Sequence, residues 1–224
     1  MRAHSVGAVA QPNLNALSCK PSMKHTRIIK RAFDLVFASL ALLMLWPLLI
    51  VLALVVWCDS GRPVIYAGIR AGQWGRPFRM FKYRTMVPQA ERLGGPCAAR
   101  DDPRVTRVGR FLRRYKLDEL PQLVNVLRGE MSIVGPRPEV LKYTQQYEGD
   151  LRLVLSVPPG ITDLASIEFA SQSDILGNDD PERVYEEQVR PIKDALRLRY
   201  VVEQSLWLDL CIIIKTCLLY TSPS

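Results

Sequence analysis

The stretch that decides the fold is LVFASLALLMLWPLLIVLALVVW, which runs from Leu35 to Trp57 without a charged residue. Because it is hydrophobic on every side, it cannot be the amphipathic surface helix of a soluble protein. At about 1.5 Å per residue, a helix of this length could cross the roughly 30 Å hydrocarbon core of a bilayer. The run is too long and starts too late for a signal peptide. We therefore predict a membrane helix over residues 27–59, preceded by a mobile tail over residues 1–26.

The path of this helix depends on Pro47 and on the flanking charges. Pro47 lies near the centre of the run, where it removes a helix hydrogen bond. Both flanks are basic, which favours keeping both ends on the cytoplasmic side. A re-entrant helix that breaks at Pro47 satisfies both features, whereas a single span stays open because many spanning helices tolerate proline. At the entrance, Asp34 is predicted to accept hydrogen bonds or to pair with Arg31 or another cation.

Charge is distributed unevenly along the rest of the chain. Residues 60–117 carry 14 Lys/Arg against 3 Asp/Glu, whereas residues 118–188 carry 5 against 14. A basic region beside a membrane segment favours anionic headgroups or phosphate-bearing ligands. No nucleic-acid module is recognisable and few aromatics are interleaved with the basic residues, so we predict no nucleic-acid partner.

Cysteine and histidine usage argues against a zinc site and against structural disulfides. The chain has five cysteines with no CxxC spacing and two histidines, both near the N-terminus. An odd number of scattered cysteines indicates a reducing compartment. Walker, GxGxxG, GxSxG and HExxH motifs are absent from the sequence as well, so nucleotide-loop, hydrolase and zinc-protease chemistry has no support.

Local patterns predict an α+β fold that is mainly α. Strands or extended segments are expected at residues 63–66 and 77–86. In the second of these, Phe78 and Met80 alternate with Arg79 and are expected to face the same way. Amphipathic helices are expected over Val105–Tyr115, where arginines surround an apolar face suited to a bilayer interface, and over Leu117–Leu127. Further helices are expected over Pro181–Val201, interrupted at Pro191, and over the apolar segment Leu206–Leu219. The resulting architecture is a membrane helix, interfacial helices and a small cytoplasmic domain over residues 60–216, followed by a tail over residues 217–224 that looks non-native.

The residues that could carry chemistry begin at Asp118 and Glu119. In the first turn of a helix two adjacent carboxylates can approach one ligand, so that one holds a divalent cation while the other acts as base or nucleophile. Taken alone, such a pair could also be two charges that stabilise the helix N-terminus and have no catalytic role. A phosphoryl site also needs cations, and the candidates are Lys82, Arg84, Arg113 and Arg137. Arg137 stands out because Pro136 and Pro138 stiffen its loop.

Several long motifs in one order give the chain a specific resemblance. They are Lys30-Arg31-Ala-Phe-Asp34, Phe81-Lys82-Tyr-Arg84-Thr-Met86, Arg107-Val-Gly109-Arg-Phe-Leu-Arg113, Leu117-Asp118-Glu119-Leu-Pro121-Gln122-Leu-Val-Asn125, Gly129-Glu130-Met-Ser132, Val134-Gly135-Pro136-Arg137-Pro138 and Pro159-Gly160-Ile161-Thr162. These motifs lie between Lys30 and Thr162, and the resemblance as a whole covers about residues 30–216. On these motifs the chain resembles the bacterial sugar transferases, the monotopic polyprenyl-phosphate phosphoglycosyl transferases, in their small form.

The resemblance implies a reaction and a site. The enzyme would transfer a sugar 1-phosphate from a UDP-sugar to undecaprenyl phosphate and release UMP, as the first membrane step of exopolysaccharide, O-antigen or glycoprotein glycan synthesis. Asp118 matches the nucleophile that forms a phosphosugar intermediate, and also the Mg²⁺ position; Glu119 completes the dyad. Arg113 and Arg137 match residues that engage the donor, while Lys82 and Arg84 lie in a motif expected to line the site.

The resemblance also implies a location and leaves alternatives. It favours the re-entrant helix broken at Pro47, with Arg31 and Asp34 as structural residues, at the bacterial inner membrane with the catalytic domain on its cytoplasmic face. Membrane lipid is an expected partner, and a homodimer stays open. One departure is Asp163-Leu-Ala-Ser-Ile-Glu168-Phe169, where the family more often continues with glycine. The competing interpretations are a glycosyltransferase that releases UDP and a non-enzymatic scaffold that binds lipid.

Overall fold

The computed structural model describes residues 23–90, 93, 102–169 and 181–221. Most of these residues are helical, and they include two sheets of two strands each. The predicted mainly α, α+β fold class is therefore confirmed. The predicted tail over residues 1–26 lies outside the described residues except for its last four, which are helical. The predicted C-terminal tail is helical as far as Thr221.

The first helix, α1, extends over Met23–Ser60. Pro47 lies inside it, and helical structure continues on both sides of the proline. Within the described part of the chain, α1 is the one helix that is long and apolar enough to cross a membrane. Leu43 and Met44 are 71% and 78% exposed, and most other apolar side chains of α1 are exposed too. Such a surface requires lipid or another apolar cover.

A narrow face of α1 packs on the rest of the protein along most of its length. Ala38, Leu52 and Val56 are buried on this face. Near the start of the helix it contacts β3 and α3, defined below, and towards its end it contacts α2. The helix therefore lies against the domain that follows instead of projecting away from it.

An antiparallel hairpin follows α1. Strand β1 covers Ile65–Ala71 and β2 covers Pro77–Tyr83, joined by a short 3₁₀ turn at Gln73–Gly75. The alternation predicted for the second strand is confirmed, because Phe78 and Met80 are buried whereas Arg79 is exposed. The first strand starts two residues later than predicted and is longer, since its pairing with β2 fixes its length.

Two short helical segments separated by a 3₁₀ turn come next. Helix α2 covers Arg107–Arg114, and the Thr106 hydroxyl caps it by accepting from the Gly109 N–H. The predicted helix over Leu117–Leu127 divides into a 3₁₀ turn at Leu117–Glu119 and helix α3 over Gln122–Arg128. Pro121 sits at the cap of α3, where its missing N–H costs nothing.

A second sheet forms from two segments distant in sequence. Strand β3 covers Ser132–Val134, and it is followed by helix α4 over Leu141–Thr144 and a 3₁₀ segment at Gly149–Ser156. Strand β4 over Gly160–Thr162 pairs with β3 in parallel, and helix α5 over Leu164–Glu168 follows. Because the two strands run parallel, the loop after β3, which contains Arg137, lies next to Asp163, the residue after β4.

The C-terminal part is helical. Helix α6 over Pro181–Val184 passes through a π-helical turn at Tyr185–Val189 into helix α7 over Arg190–Glu203. The interruption predicted at Pro191 thus lies just before the proline, because a π turn can accommodate the missing N–H. Helix α8 over Leu206–Thr221 ends the described chain. The main core lies between α1, β2, β3, α7 and α8 and contains Ala38, Met80, Val134, Tyr200 and Ile212.

Candidate active site

The two adjacent carboxylates sit in a tight turn between α2 and α3. Lys116 enters the turn with a left-handed backbone (φ 56°), and Leu117–Glu119 form the 3₁₀ turn. Asp118 and Glu119 are both buried. Carboxylates are rarely buried unless they are paired or bind a ligand. Their partners therefore show what each one can do.

Glu119 is fully occupied by two cations. The Lys82 ammonium lies 2.9 Å from its Oε1. The Arg137 guanidinium donates from Nη1 to Oε2 at 2.9 Å and from Nη2 to Oε1, a bidentate arrangement. Burial alone would raise the pKa of Glu119, but Arg137 and Lys82 hold it well below its usual value. Glu119 is consequently an ionised carboxylate that orients two cations.

Asp118 has the opposite environment. Its Oδ1 atom is buried and has no hydrogen-bond partner among the described residues. Burial and the charge of Glu119 raise the pKa of Asp118, against the lowering effect of Lys82, Lys116 and Arg113. A buried carboxylate oxygen without a partner is costly unless a ligand supplies one. Asp118 therefore presents a free oxygen beside a cluster of cations.

Arg113 reaches this cluster from α2. Its Nε atom donates to the Thr85 hydroxyl at 2.8 Å. Burial lowers the pKa of Arg113, whereas Asp118 and Asp102 oppose this change. Gly109 allows α2 to approach closely, because a Cβ at that position would lie 2.1 Å from the Thr85 carbonyl oxygen. The close contact between α2 and the Thr85 backbone thus places Arg113 near the carboxylates.

Arg84 occupies a different place from the other predicted cations. Its Nη2 atom donates to the backbone carbonyls of Ser60 and Gly61, the latter at 2.7 Å, and to the Ser60 hydroxyl. These carbonyls lie at the end of α1 and directly after it, where a cation is stabilised by the helix dipole. The contacts of Arg84 tie the end of β2 to the end of α1. Its role in substrate binding stays a prediction.

The two predicted structural residues of α1 also have separate partners. The Arg31 guanidinium donates to the Val126 and Leu127 carbonyls at 2.7 and 3.1 Å and so caps the end of α3. Asp34 accepts from the Ser132 hydroxyl and from the Ile133 N–H. The cation near Asp34 is Lys30, at 3.6 Å. Asp34 therefore accepts hydrogen bonds, as predicted, and the cation that it pairs with is Lys30 and not Arg31.

Three residues of this region were missed by sequence reasoning. Lys116 precedes the dyad, and burial lowers its pKa while Glu119 raises it; its position two residues before Asp118 was a usable signal. Thr85 lies inside the Phe81–Met86 motif. Asp163 accepts the Arg137 N–H at 3.0 Å, a contact across 26 residues that no local pattern indicates.

The resemblance implies a Mg²⁺ ion, for which Asp118 would be a protein ligand. The described residues contain no group of three or more His, Cys, Asp or Glu side chains suited to a metal. Mg²⁺ commonly uses one or two carboxylates together with substrate phosphates and water. The unpartnered Asp118 Oδ1 supplies one such oxygen. The site therefore fits an ion that is completed by its substrate.

Comparison with known proteins gives consistent results. The family model described as Bacterial sugar transferase matches residues 25–222. The chain is 41% identical over 194 residues to the UDP-glucose:undecaprenyl-phosphate glucose-1-phosphate transferase of Escherichia coli K12, covering 85% of this chain and 39% of that protein. It is 39% identical over 215 residues to the undecaprenyl-phosphate glucose phosphotransferase of Komagataeibacter xylinus, covering 91% and 38%.

A further relative carries a different sugar in its name. The undecaprenyl-phosphate galactose phosphotransferase of Salmonella typhimurium is 36% identical over 208 residues, covering 86% of this chain and 40% of that protein. The chain thus spans about two fifths of the length of these three relatives. The names agree on a lipid phosphate acceptor and differ in the sugar.

Proposed function

The chain belongs to the bacterial sugar transferase family, and from that premise we propose that it transfers a sugar 1-phosphate from a UDP-sugar to undecaprenyl phosphate with release of UMP. The observation that supports the proposal is that the two adjacent carboxylates, Asp118 and Glu119, differ in their hydrogen-bond partners. Glu119 is saturated by Lys82 and Arg137, whereas Asp118 keeps a free buried oxygen. One carboxylate orients cations, and its neighbour is available to react.

In the proposed first step an Asp118 carboxylate oxygen attacks the β-phosphorus of the UDP-sugar. A new O–P bond forms, and the bond from that phosphorus to the bridging oxygen of UMP breaks, so that UMP leaves with the electron pair. In the second step a phosphate oxygen of the lipid attacks the same phosphorus and the aspartyl O–P bond breaks. The Asp118 carboxylate is restored, and the product is a lipid diphosphate sugar.

The cations of the site serve both steps electrostatically. Arg137, Lys82 and Arg113 stabilise the charge that develops on the transferred phosphoryl oxygens. A bound Mg²⁺, held in part by Asp118, would neutralise phosphate charge. Burial and Glu119 raise the pKa of Asp118, and a bound cation would lower it and so favour the reactive, ionised form.

We further propose that α1 is re-entrant at the cytoplasmic membrane, with the catalytic domain on the cytoplasmic face. Contacts at both of its ends support this path. Asp34 binds β3 near the start of the helix, and near its end the Tyr83 hydroxyl donates to the Leu49 carbonyl at 2.7 Å while Arg84 binds Ser60. A helix that left the domain on one side of a bilayer would separate these two sets of contacts.

The path is tested with two native cysteines, Cys19, which precedes α1 in the sequence, and Cys58, which lies in the last turn of α1. Variants retaining only Cys19 or only Cys58 are labelled with a membrane-impermeant maleimide in sealed vesicles of both orientations. We expect both sites to react from the cytoplasmic side. Labelling from opposite sides would establish a single span. A Pro47→Leu variant, which restores the missing hydrogen bond, is expected to move Cys19 towards the other side; unchanged cytoplasmic labelling would count against the role of Pro47.

The reaction is tested with protein in nanodiscs, undecaprenyl phosphate, Mg²⁺ and a panel of UDP-sugars, by identifying the nucleotide released. UMP is expected, and the donor that yields it names the sugar. UDP would indicate transfer of the sugar alone and remove Asp118 as nucleophile. No nucleotide from any donor, together with retained lipid binding, would favour the scaffold interpretation.

A further inference from the structure

Arg137 is held by a carboxylate for which the proposed reaction has no role. Asp163 is 1% exposed and lies between β4 and α5. Its Oδ2 atom accepts the Arg137 backbone N–H at 3.0 Å. Its Oδ1 atom accepts the N–H and the hydroxyl of Ser166, at 2.6 and 2.7 Å, which caps α5. Oδ1 of Asp163 therefore caps α5, whereas Oδ2 binds the backbone of Arg137.

The segment that contains Asp163 also holds the side chain of Arg137. The Arg137 Nη1 atom donates to the Ile161 carbonyl at 3.1 Å while it donates to Glu119. The backbones of the two segments are in direct contact, because a Cβ at Gly160 would lie 2.1 Å from the Gly135 nitrogen. A displacement of Asp163 would therefore shift Arg137 directly, because no other residue that the structure describes lies between the two backbone segments at this contact.

A buried arginine lies behind Asp163. Arg197 of α7 is 1% exposed, and its Nε atom is 4.0 Å from Asp163 Oδ2. Its Nη2 atom donates to Glu139 at 2.5 Å and its Nη1 atom donates to Asp194 at 2.9 Å. Glu139 follows Arg137 by two residues. The Arg197 guanidinium therefore offsets the negative charge of both Asp163 and Glu139.

We propose that Asp163 is a positioning residue for Arg137, and that Arg197 fixes Asp163 and Glu139 so that the Arg137 guanidinium faces Glu119 and the donor phosphates. The expected effect on the reaction rate rests on the proposed function. The hydrogen bond between the Arg137 N–H and Asp163 does not depend on it. A cation that stabilises a transferring phosphoryl group must be placed within a fraction of an ångström, and misplacement of about 1 Å can cost about 10²-fold.

A competing explanation is that Asp163 merely caps α5, and an Asp163→Asn variant separates the two roles. Asparagine is as good a helix cap as aspartate, because its amide oxygen can accept from Ser166. Its amide nitrogen then faces the Arg137 N–H, and two donors repel each other. The matched control is Ser166→Ala, which removes the hydroxyl contact to Oδ1 and leaves the Arg137 bond unchanged.

The first measurement is hydrogen exchange at the Arg137 amide without any substrate. Because Pro136 and Pro138 have no N–H, Arg137 contributes the sole exchangeable backbone amide of the 136–138 segment. We expect exchange at least tenfold faster in Asp163→Asn than in the wild type, and unchanged exchange in Ser166→Ala. Wild-type exchange in Asp163→Asn would overturn the positioning role, whether or not the protein transfers sugar phosphate.

The second measurement is a double-mutant cycle on kcat/KM for UMP release. Asp163→Asn is expected to lower kcat/KM by about 10- to 100-fold in the wild type and by less than about twofold in an Arg137→Ala background, because a residue that acts through Arg137 has no effect without it. Equal losses in both backgrounds would overturn the proposal. A wild type that releases no UMP would contradict the proposed function, while the exchange experiment still decides the contact.

Discussion

Two buried clusters of carboxylates and cations differ in whether every carboxylate oxygen has a hydrogen-bond partner. In the first, which we term the anchor cluster (Lys30, Asp34 and Asp209), all four carboxylate oxygens have a partner. Asp34 accepts from Ser132 and Ile133, and Asp209 accepts from Lys30 at 2.8 Å and from the Tyr200 hydroxyl at 2.7 Å. This cluster joins α1 to β3, α7 and α8.

The second cluster is the dyad with its cations, Lys82 and Arg137. Glu119 is as fully paired as the anchor carboxylates, but Asp118 Oδ1 has no partner among the described residues. Burial of an ion pair stabilises a fold only when its hydrogen bonds are complete. We infer that the anchor cluster stabilises the fold, whereas the dyad has one unpaired oxygen, Asp118 Oδ1, that a ligand can bind.

The largest expected effect is that of Asp118→Asn. We expect kcat/KM for UMP release to fall by about 10⁴-fold or more, because the amide is a poor nucleophile. The free energy of unfolding should stay the same or rise, since burial has raised the pKa of Asp118 and its charged form is disfavoured in the fold at neutral pH. Membrane association is the control. Retained turnover would remove Asp118 as nucleophile.

Asp209→Ala should have the reverse profile. It leaves the buried Lys30 ammonium with only the 3.6 Å contact to Asp34, so that the free energy of unfolding should fall by about 3–5 kcal/mol. Denaturant unfolding in detergent measures this. A Lys30→Met/Asp209→Leu double variant should recover part of the loss, because it removes both charges. If Asp209→Ala were as stable as the wild type, the anchor cluster would have no structural role.

Glu119→Gln tests whether the paired carboxylate of the dyad acts through its cations. Loss of its charge frees Arg137 and Lys82 to move, and we expect kcat/KM to fall by about 10²-fold. The pH profile is the decisive readout. The acid limb reports Asp118, whose pKa Glu119 raises, and should therefore shift to lower pH in the variant. An acid limb that does not move would contradict the coupling.

The smallest expected effect concerns Lys193, which lies above the rings of Phe169 and Tyr185 at 5.6 and 5.4 Å. Burial, with Arg197, lowers the pKa of Lys193 to about 8. Between this value and the ordinary lysine pKa of about 10.4 the unfolded chain binds more protons, so stability should rise with pH by at most about 3 kcal/mol.

The matched variant for this prediction is Lys193→Met, which keeps the chain length and cannot ionise. Unfolding followed from pH 7.5 to 10 should show a shallower rise in this variant than in the wild type. Equal slopes would mean that Lys193 does not titrate in this range. For Lys193, the cost of burying the charge outweighs the attraction of Glu139 and Asp163.

Much of the fold was predictable because it depends on local pattern. The uncharged run from Leu35 to Trp57 predicted α1, and alternation predicted the buried face of β2. Patterns were less informative where pairing or packing decides. The first strand is longer than predicted because β2 determines its extent, and the single helix expected around the dyad divides at Pro121. The π turn before Pro191 depends on how the helix packs.

The sequence by itself determined the long apolar helix, the family and the identity of the adjacent carboxylates, because these follow from composition, spacing and motif order. Only the tertiary structure decided the partners: that Lys30 binds Asp209 across 179 residues, that Arg84 caps α1, and that Glu119 is paired while Asp118 is not. The physical reason is that pairing and pKa depend on burial and on distances of a few ångströms between segments that are far apart in the chain.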